Sequence, residues 1–202
     1  EHEKITKLAQ YADIPVINAL TDKLHPCQAL SDLFTIKEKK GKLQGLKMAY
    51  IGDGNNVCSS LMLAAAKVGM EFMAATPKGY EPKKIVVERA QDIAKKNKAQ
   101  ITIVNDPVDA AVGADIVYTD VWASMGQEKQ AKKRKKVFKK FQVNKALMEH
   151  VKKGAIVMHC LPAHRGEEIS ADVIDGKQSI VFDQAENRLH VQKAILTLLL
   201  EK

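Results

Sequence analysis

Apolar residues in this chain fall into short runs, and between them lie longer segments in which they recur every three or four positions. From Lys47 onward the two patterns alternate. The runs at 48–51, 71–75, 101–104, 116–119, 155–158 and 179–182 are short and rich in β-branched residues, and they read as strands covered on both faces. Segments 59–68, 82–97, 106–112 and 144–151 read as the intervening helices. Pro82 suits a first helical turn, Asn144 an N-cap, and Gly69 and Gly154 the positions where helices stop. Such alternation predicts an α/β fold with a doubly wound, mainly parallel, Rossmann-like sheet in the order 3-2-1-4-5.

The two ends depart from that rhythm. Residues 3–12 look helical, 14–20 strand-like and 25–36 helical again, all ahead of the first strand of the main sheet. At the far end, 185–200 reads as a helix in which Ile195, Leu196, Leu198, Leu199 and Leu200 are too closely spaced to form one stripe. A helix apolar on several sides needs cover on several sides. The expectation is a main α/β domain over 37–184, with helical terminal segments, 1–36 and 185–202, that belong partly to a second domain outside the chain.

Composition narrows the class. With 46% hydrophobic and 28% charged residues, the 202-residue chain can build a real core. No apolar run approaches the roughly 20 residues that span a bilayer, so no membrane partner is expected. The opening Glu1-His2-Glu3-Lys4 resembles neither a signal peptide nor a transit sequence. Its 3 cysteines contain no CxxC pair, which argues against a disulfide framework and for a cytoplasmic setting. The net charge of +8 raises the question of nucleic acid. Much of it sits in the run 129–145, where Val137, Phe138 and Phe141 can form a narrow apolar stripe. A solvated amphipathic helix is the better reading of that run, and no specific nucleic-acid motif accompanies it.

Candidate chemistry gathers behind the predicted strands. Met158-His159-Cys160-Leu161-Pro162-Ala163-His164-Arg165-Gly166-Glu167-Glu168 places thiol, imidazole, guanidinium and carboxylate groups directly after an apolar run. Asp120-Val121-Trp122-Ala123-Ser124-Met125-Gly126 follows the fourth strand, and Gly52-Asp53-Gly54-Asn55-Asn56 follows the first. The latter is not a dinucleotide turn: the spacing is not GxGxxG, and no acidic residue ends the second strand. In a 3-2-1-4-5 sheet the loops after strands one and four flank the switch point, so Asn56, Asp120 and Cys160 should share one cleft. His25 and Gln28, a helical turn apart with Pro26 in the first turn, can face one ligand from a helix N-terminus that favours a phosphate-bearing substrate.

Together, His25-Pro26-Cys27-Gln28, Asp120 to Gly126 and His159-Cys160-Leu161-Pro162 resemble the ornithine carbamoyltransferase family, and the resemblance runs from about residue 3 to the C-terminus. It implies transfer of a carbamoyl group from carbamoyl phosphate to ornithine, giving citrulline and phosphate, with no metal and no organic cofactor, in a homotrimer. Asn56, Asp120, Ser124 and the Met125 backbone are implied contacts of ornithine, on a Ser-Met-Gly loop that closes over it. Cys160 is the implied active-site cysteine, with Leu161 beside it where both substrates meet. His25, Gln28 and Arg188 (in Glu186-Asn187-Arg188) are implied contacts of carbamoyl phosphate. His25, Asp120 and Cys160 are the implied catalytic set. The family's Ser-x-Arg-Thr-Arg phosphate motif has no counterpart in the chain. The implied second domain is therefore the carbamoyl-phosphate domain, with 37–184 as the ornithine-binding domain, and the isolated chain is expected to bind only the ornithine side. Sister enzymes acting on other amines, and a non-catalytic binding or scaffold module, are the competing readings.

Overall fold

The computed structural model describes residues 1–123 and 128–200. Two helices, α1 (His2–Tyr11) and α2 (Pro26–Lys40), precede β1 (Lys47–Ile51). Then come α3 (Asn56–Lys67), β2 (Glu71–Ala75), α4 (Lys84–Asn97), β3 (Gln100–Val104), α5 (Pro107–Ala111) and β4 (Ile116–Thr119). The basic run forms α6 (Ala131–Phe138) between short 3-10 turns, and α7 (Lys145–Met148) leads to β5 (Ile156–His159). The chain ends in α8 (Ala171–Ile174) and α9 (Val181–Leu200).

The strands form a five-stranded sheet in the order β3-β2-β1-β4-β5, parallel throughout, as the alternation predicts. Within β1 the side chains alternate between two cores. Met48 and Tyr50 join α2, α3 and α4 on one face, while Ala49 and Ile51 join Trp122, Phe138 and Phe141 on the other. Both faces are covered, which is why these strands read as unbroken apolar runs. Tyr50 stacks between Phe72 and Tyr118 at centroid distances of 6.3 and 5.9 Å. Full burial of each such ring contributes roughly 1.5–3 kcal/mol.

Several expectations need correction. Residues 179–182 are not a strand: Ser179 makes one isolated bridge to Val157, and α9 has already begun at Val181. The segment 14–20 pairs with no strand, for β-branched content without a sheet edge beside it makes no ladder. Pro82 lies ahead of α4 rather than in its first turn, and Gly154 sits in the turn before β5 rather than at a helix end. The basic run is not wholly a solvated face. Arg134 is buried beside Phe138 and Phe141, while Val137 of the predicted stripe is the more exposed residue.

The first half of α9 packs on α2 through Asn187, whose amide reaches Thr35 Oγ1 at 3.0 Å. Its second half leaves Leu196, Leu198, Leu199 and Leu200 exposed. No helix among the described residues is long and apolar enough to cross a membrane.

Candidate active site

The carboxyl ends of β1, β4 and β5 carry the chemistry, and each is shaped by its local sequence. After β1 the chain turns through Gly52, whose φ of +144° disfavours a side chain, and Gly54. A Cβ on Gly54 would stand 2.2 Å from the Pro82 nitrogen, so only glycine lets this turn pass beneath the segment before α4. The turn delivers Asn55 as N-cap of α3, where its Oδ1 accepts from the backbone N–H groups of Val57 and Cys58, both at 3.0 Å.

Asn55 also donates from Nδ2 to Asp120 Oδ2 at 2.7 Å. Asp120, buried at the end of β4, takes a second donor on Oδ1, the thiol of Cys160 at 3.1 Å. Loops after β1, β4 and β5 thus meet at one carboxylate. The Cys160 thiol is pushed well above its ordinary pKa by burial, then by the Asp120 charge and the hydrogen bond to it. These causes favour the protonated form, in which Cys160 is the donor in the contact to Asp120.

Behind Cys160, the wholly buried His159 has both ring nitrogens engaged. Nδ1 accepts from the Leu161 N–H at 2.9 Å, which leaves Nε2 to donate to Glu168 at 3.2 Å. This pair fixes the backbone at Leu161, which holds a positive φ of 56° before a cis Leu161–Pro162 bond. Burial pushes the Glu168 carboxyl up, but hydrogen bonds from His159 and from backbone N–H groups outweigh it and lower its pKa. His159, Cys160 and Asp120 bring ligand-type atoms within 4.8 Å of one another. The thiol, both imidazole nitrogens and both carboxylate oxygens already have partners within the chain.

His25, Gln28 and Arg188 form a second group. His25 is the N-cap of α2, anchored through its backbone N–H to Ser60 Oγ at 2.7 Å. Its Nδ1 is buried without a hydrogen-bond partner. Burial first, and the Arg188 charge second, lower its pKa and favour the neutral ring. Gln28 accepts from Arg188 Nη1 through Oε1, which joins the start of α2 to α9.

The sequence-predicted residues are therefore brought together in part. Asp120 and Cys160 touch, and Gln28 and Arg188 touch beside His25. Asn56 turns away from Asp120, its amide donating to the Thr21 carbonyl at 2.7 Å; its neighbour Asn55 makes the Asp120 contact. Ser124 and Met125 lie outside the described residues.

Sequence reasoning missed Arg134, which leaves the basic face to donate to the Trp122 carbonyl at 2.7 Å and pair with buried Asp53 at 3.0 Å. Its guanidinium also lies over the Tyr80 ring, 4.9 Å from the centroid. Only its place among lysines hinted at this, since an arginine in a lysine run is the better candidate for a buried, bidentate role.

This geometry has close counterparts. Residues 44–199 match the family model of the aspartate/ornithine carbamoyltransferase Asp/Orn-binding domain, and residues 1–38 match that of the family's carbamoyl-P-binding domain. The ornithine carbamoyltransferase of Anoxybacillus flavithermus is 62% identical over 200 residues, covering 99% of this chain and 64% of that protein. That of Methanocaldococcus jannaschii is 54% identical over 203 residues, covering 100% of this chain and 67% of that protein. The solved ornithine carbamoyltransferase from Pyrococcus furiosus superposes with a TM-score of 0.95 at 54% identity, over 98% of this chain and 64% of that one. The chain thus spans somewhat less than two thirds of the length of most such relatives. With both family models matched in order and a close superposition on a solved relative, the chain belongs to the ornithine carbamoyltransferases of the aspartate/ornithine carbamoyltransferase family.

Proposed function

We propose that this chain supplies the ornithine side of a carbamoyl transfer from carbamoyl phosphate to ornithine, which yields citrulline and phosphate. The observation that carries the reading is the junction of three loops at one buried carboxylate, with the Cys160 thiol 3.1 Å from Asp120. Asp120 holds the α-ammonium of ornithine, alongside contacts from Ser124 and the Met125 backbone, and the expected Asn56 contact requires its amide to leave the Thr21 carbonyl. An incoming ammonium displaces the thiol from Asp120 Oδ1 and leaves Sγ facing the other end of the substrate.

That end is an amine with an ordinary pKa of ~10.4, and it attacks only once deprotonated. A neutral thiol beside it orients the amine without adding a charge that would hold its proton on. The nitrogen then attacks the carbamoyl carbon directly: the N–C bond forms, the C–O bond to phosphate breaks, and the departing phosphate takes the proton that the nitrogen sheds. His25, whose neutral ring is favoured, donates to the carbamoyl oxygen as negative charge develops there. Gln28 and Arg188 hold carbamoyl phosphate from the other side, and Leu161 lines the point where both substrates meet.

In this reading 1–36 is the end of a carbamoyl-phosphate domain with its linking helix, 37–184 the ornithine-binding domain, and 185–202 a helix returning to the first. The exposed leucines late in α9 are the surface that domain covers, and the whole enzyme is a cytoplasmic trimer. Phosphate binding calls for clustered charge-assisted donors, which the Ser-x-Arg-Thr-Arg motif would supply from the other domain. Positioning of two reactants accounts for effective molarities of about 10⁵ M or more in good cases. The test is a citrulline assay on the 202-residue chain alone and on the same chain joined to a carbamoyl-phosphate domain. The joined protein should turn over, and the chain alone should be slower by about 10⁴-fold or more. Comparable rates would overturn the division of labour.

A further inference from the structure

The roles above make no use of Asp32, although it is the most thoroughly enclosed carboxylate between the two substrate groups. It lies on α2, wholly buried, one turn beyond Gln28. Its carboxylate accepts from Gln28 Nε2 at 2.9 Å, Gln184 Nε2 at 2.7 Å and Tyr118 Oη at 3.0 Å. Burial raises its pKa to about 6, against the opposing pull of these donors and of Arg188. A buried charge is costly to place, so a set of donors converging on one calls for a reason.

The reason lies in what the donors do with their other atoms. A glutamine amide whose NH₂ is held by an anion must present its oxygen elsewhere. Gln28 presents Oε1 to Arg188, and Gln184 presents Oε1 to the His159 N–H at 2.9 Å, one residue before Cys160. Tyr118 Oη takes a second bond from Gln184 Nε2 at 3.1 Å and lies beside Cys160. One carboxylate thereby sets the orientation of groups on α2, β4 and α9, and through them the side chain of Arg188 and the backbone entering Cys160.

We propose that Asp32 is a positioning residue for carbamoyl transfer: by fixing the amide orientations of Gln28 and Gln184, it holds Arg188 and the Cys160 strand end in one register. This rests on the function proposed above. Both glutamine amides donate to the same atom, Oδ1, while Oδ2 takes the Tyr118 hydroxyl. Asp32→Asn therefore keeps an oxygen for the glutamines and sets its amide against a hydroxyl that can turn to accept, whereas Asp32→Leu removes the shared oxygen and releases Gln28 Oε1 from Arg188 and Gln184 Oε1 from the His159 N–H.

The experiment compares wild type, Asp32→Leu and Asp32→Asn in the protein that joins this chain to a carbamoyl-phosphate domain, with melting temperature and the KM of each substrate as readouts. Asp32→Leu should show a carbamoyl phosphate KM raised by about tenfold or more and an ornithine KM within about threefold of wild type, since Asp120 and Asn55 are tied independently of Asp32, and Asp32→Asn should bring the carbamoyl phosphate KM back to within about threefold of wild type. A fall in kcat with both KM values unchanged is what partial unfolding gives, and it would overturn the positioning role. If Asp32→Leu does not fold, Asp32→Ala also removes the shared oxygen and carries the same expectation; an unchanged carbamoyl phosphate KM in whichever variant folds would equally overturn it. A wild-type protein that makes no citrulline would instead remove the underlying reading, and this proposal with it.

Discussion

The two groups of site residues are held by different kinds of structure. Asp120, Asn55 and Cys160 sit on turns fixed by a parallel sheet, each bonded to another within the same domain. His25, Gln28 and Arg188 sit on α2 and α9, helices that also carry exposed apolar side chains such as Phe34 and Leu189. The described members of the first group are bonded to one another. The second stands next to apolar surface that the described residues leave exposed. The difference teaches that groups at strand ends are held by their own sheet, whereas a site at the ends of helices depends on what those helices meet.

The strongest way to break this comparison is Asp120→Ala in the joined protein. Removing a buried, hydrogen-bonded charge costs about 2–5 kcal/mol of binding, so ornithine affinity should fall by roughly 30- to 5,000-fold. Carbamoyl phosphate affinity, measured by calorimetry on the same preparation, should change by no more than about threefold. Equal losses would show that the two groups are not separable.

Arg134→Met probes whether the sheet-end group depends on the basic helix. Asp53 would lose its cation while still buried, a loss of about 3–5 kcal/mol in urea denaturation of this chain at pH 7.5. The Asp53 carboxyl, already raised to about 6 by burial despite Arg134, would be pushed further up. The penalty should therefore shrink as pH falls toward 4 and Asp53 accepts a proton. A penalty independent of pH would mean that Arg134 stabilises through packing alone.

A smaller effect sharpens the picture of the junction between the groups. Asp32 has a pKa of about 6 in the folded chain and an ordinary value of 3.8. Between those values the unfolded chain has lost the proton and the folded chain keeps it, so this carboxyl weakens the fold as pH rises through that window. Asp32→Asn should then gain stability relative to wild type from pH 4 to pH 6 by up to about 3 kcal/mol, and the difference should level off above. A difference flat with pH would show that Asp32 titrates as an ordinary carboxyl.

Much of the fold was legible because both faces of the sheet are buried. Runs such as Ile116–Thr119 are short and rich in β-branched residues, which separates them from apolar stretches of helix such as 61–66. The errors came where local composition had no local cause. Residues 179–182 look like a strand, yet Val181 starts a helix whose burial is decided by α2, far away in sequence. Asp120 and Cys160 could be placed in one cleft from sheet order alone. That Asn55 rather than Asn56 reaches Asp120 could not, because the choice depends on the helical phase of a single residue at the start of α3. Arg134 and Asp32 stayed hidden for a similar reason: each looks like an ordinary charged residue until a partner many positions away comes into contact.

The Asn55 contact constrains which sequences can occupy this turn. Helix starts usually accept serine, threonine, aspartate or asparagine with little preference. Here the capping oxygen and the amide that grips Asp120 belong to one side chain. Aspartate would cap α3 as well but face Asp120 with a like charge. Serine and threonine lack a second arm. A position that drifts freely in most proteins is thereby reduced to one residue type, and the start of a structural helix becomes as restricted as the cleft it borders.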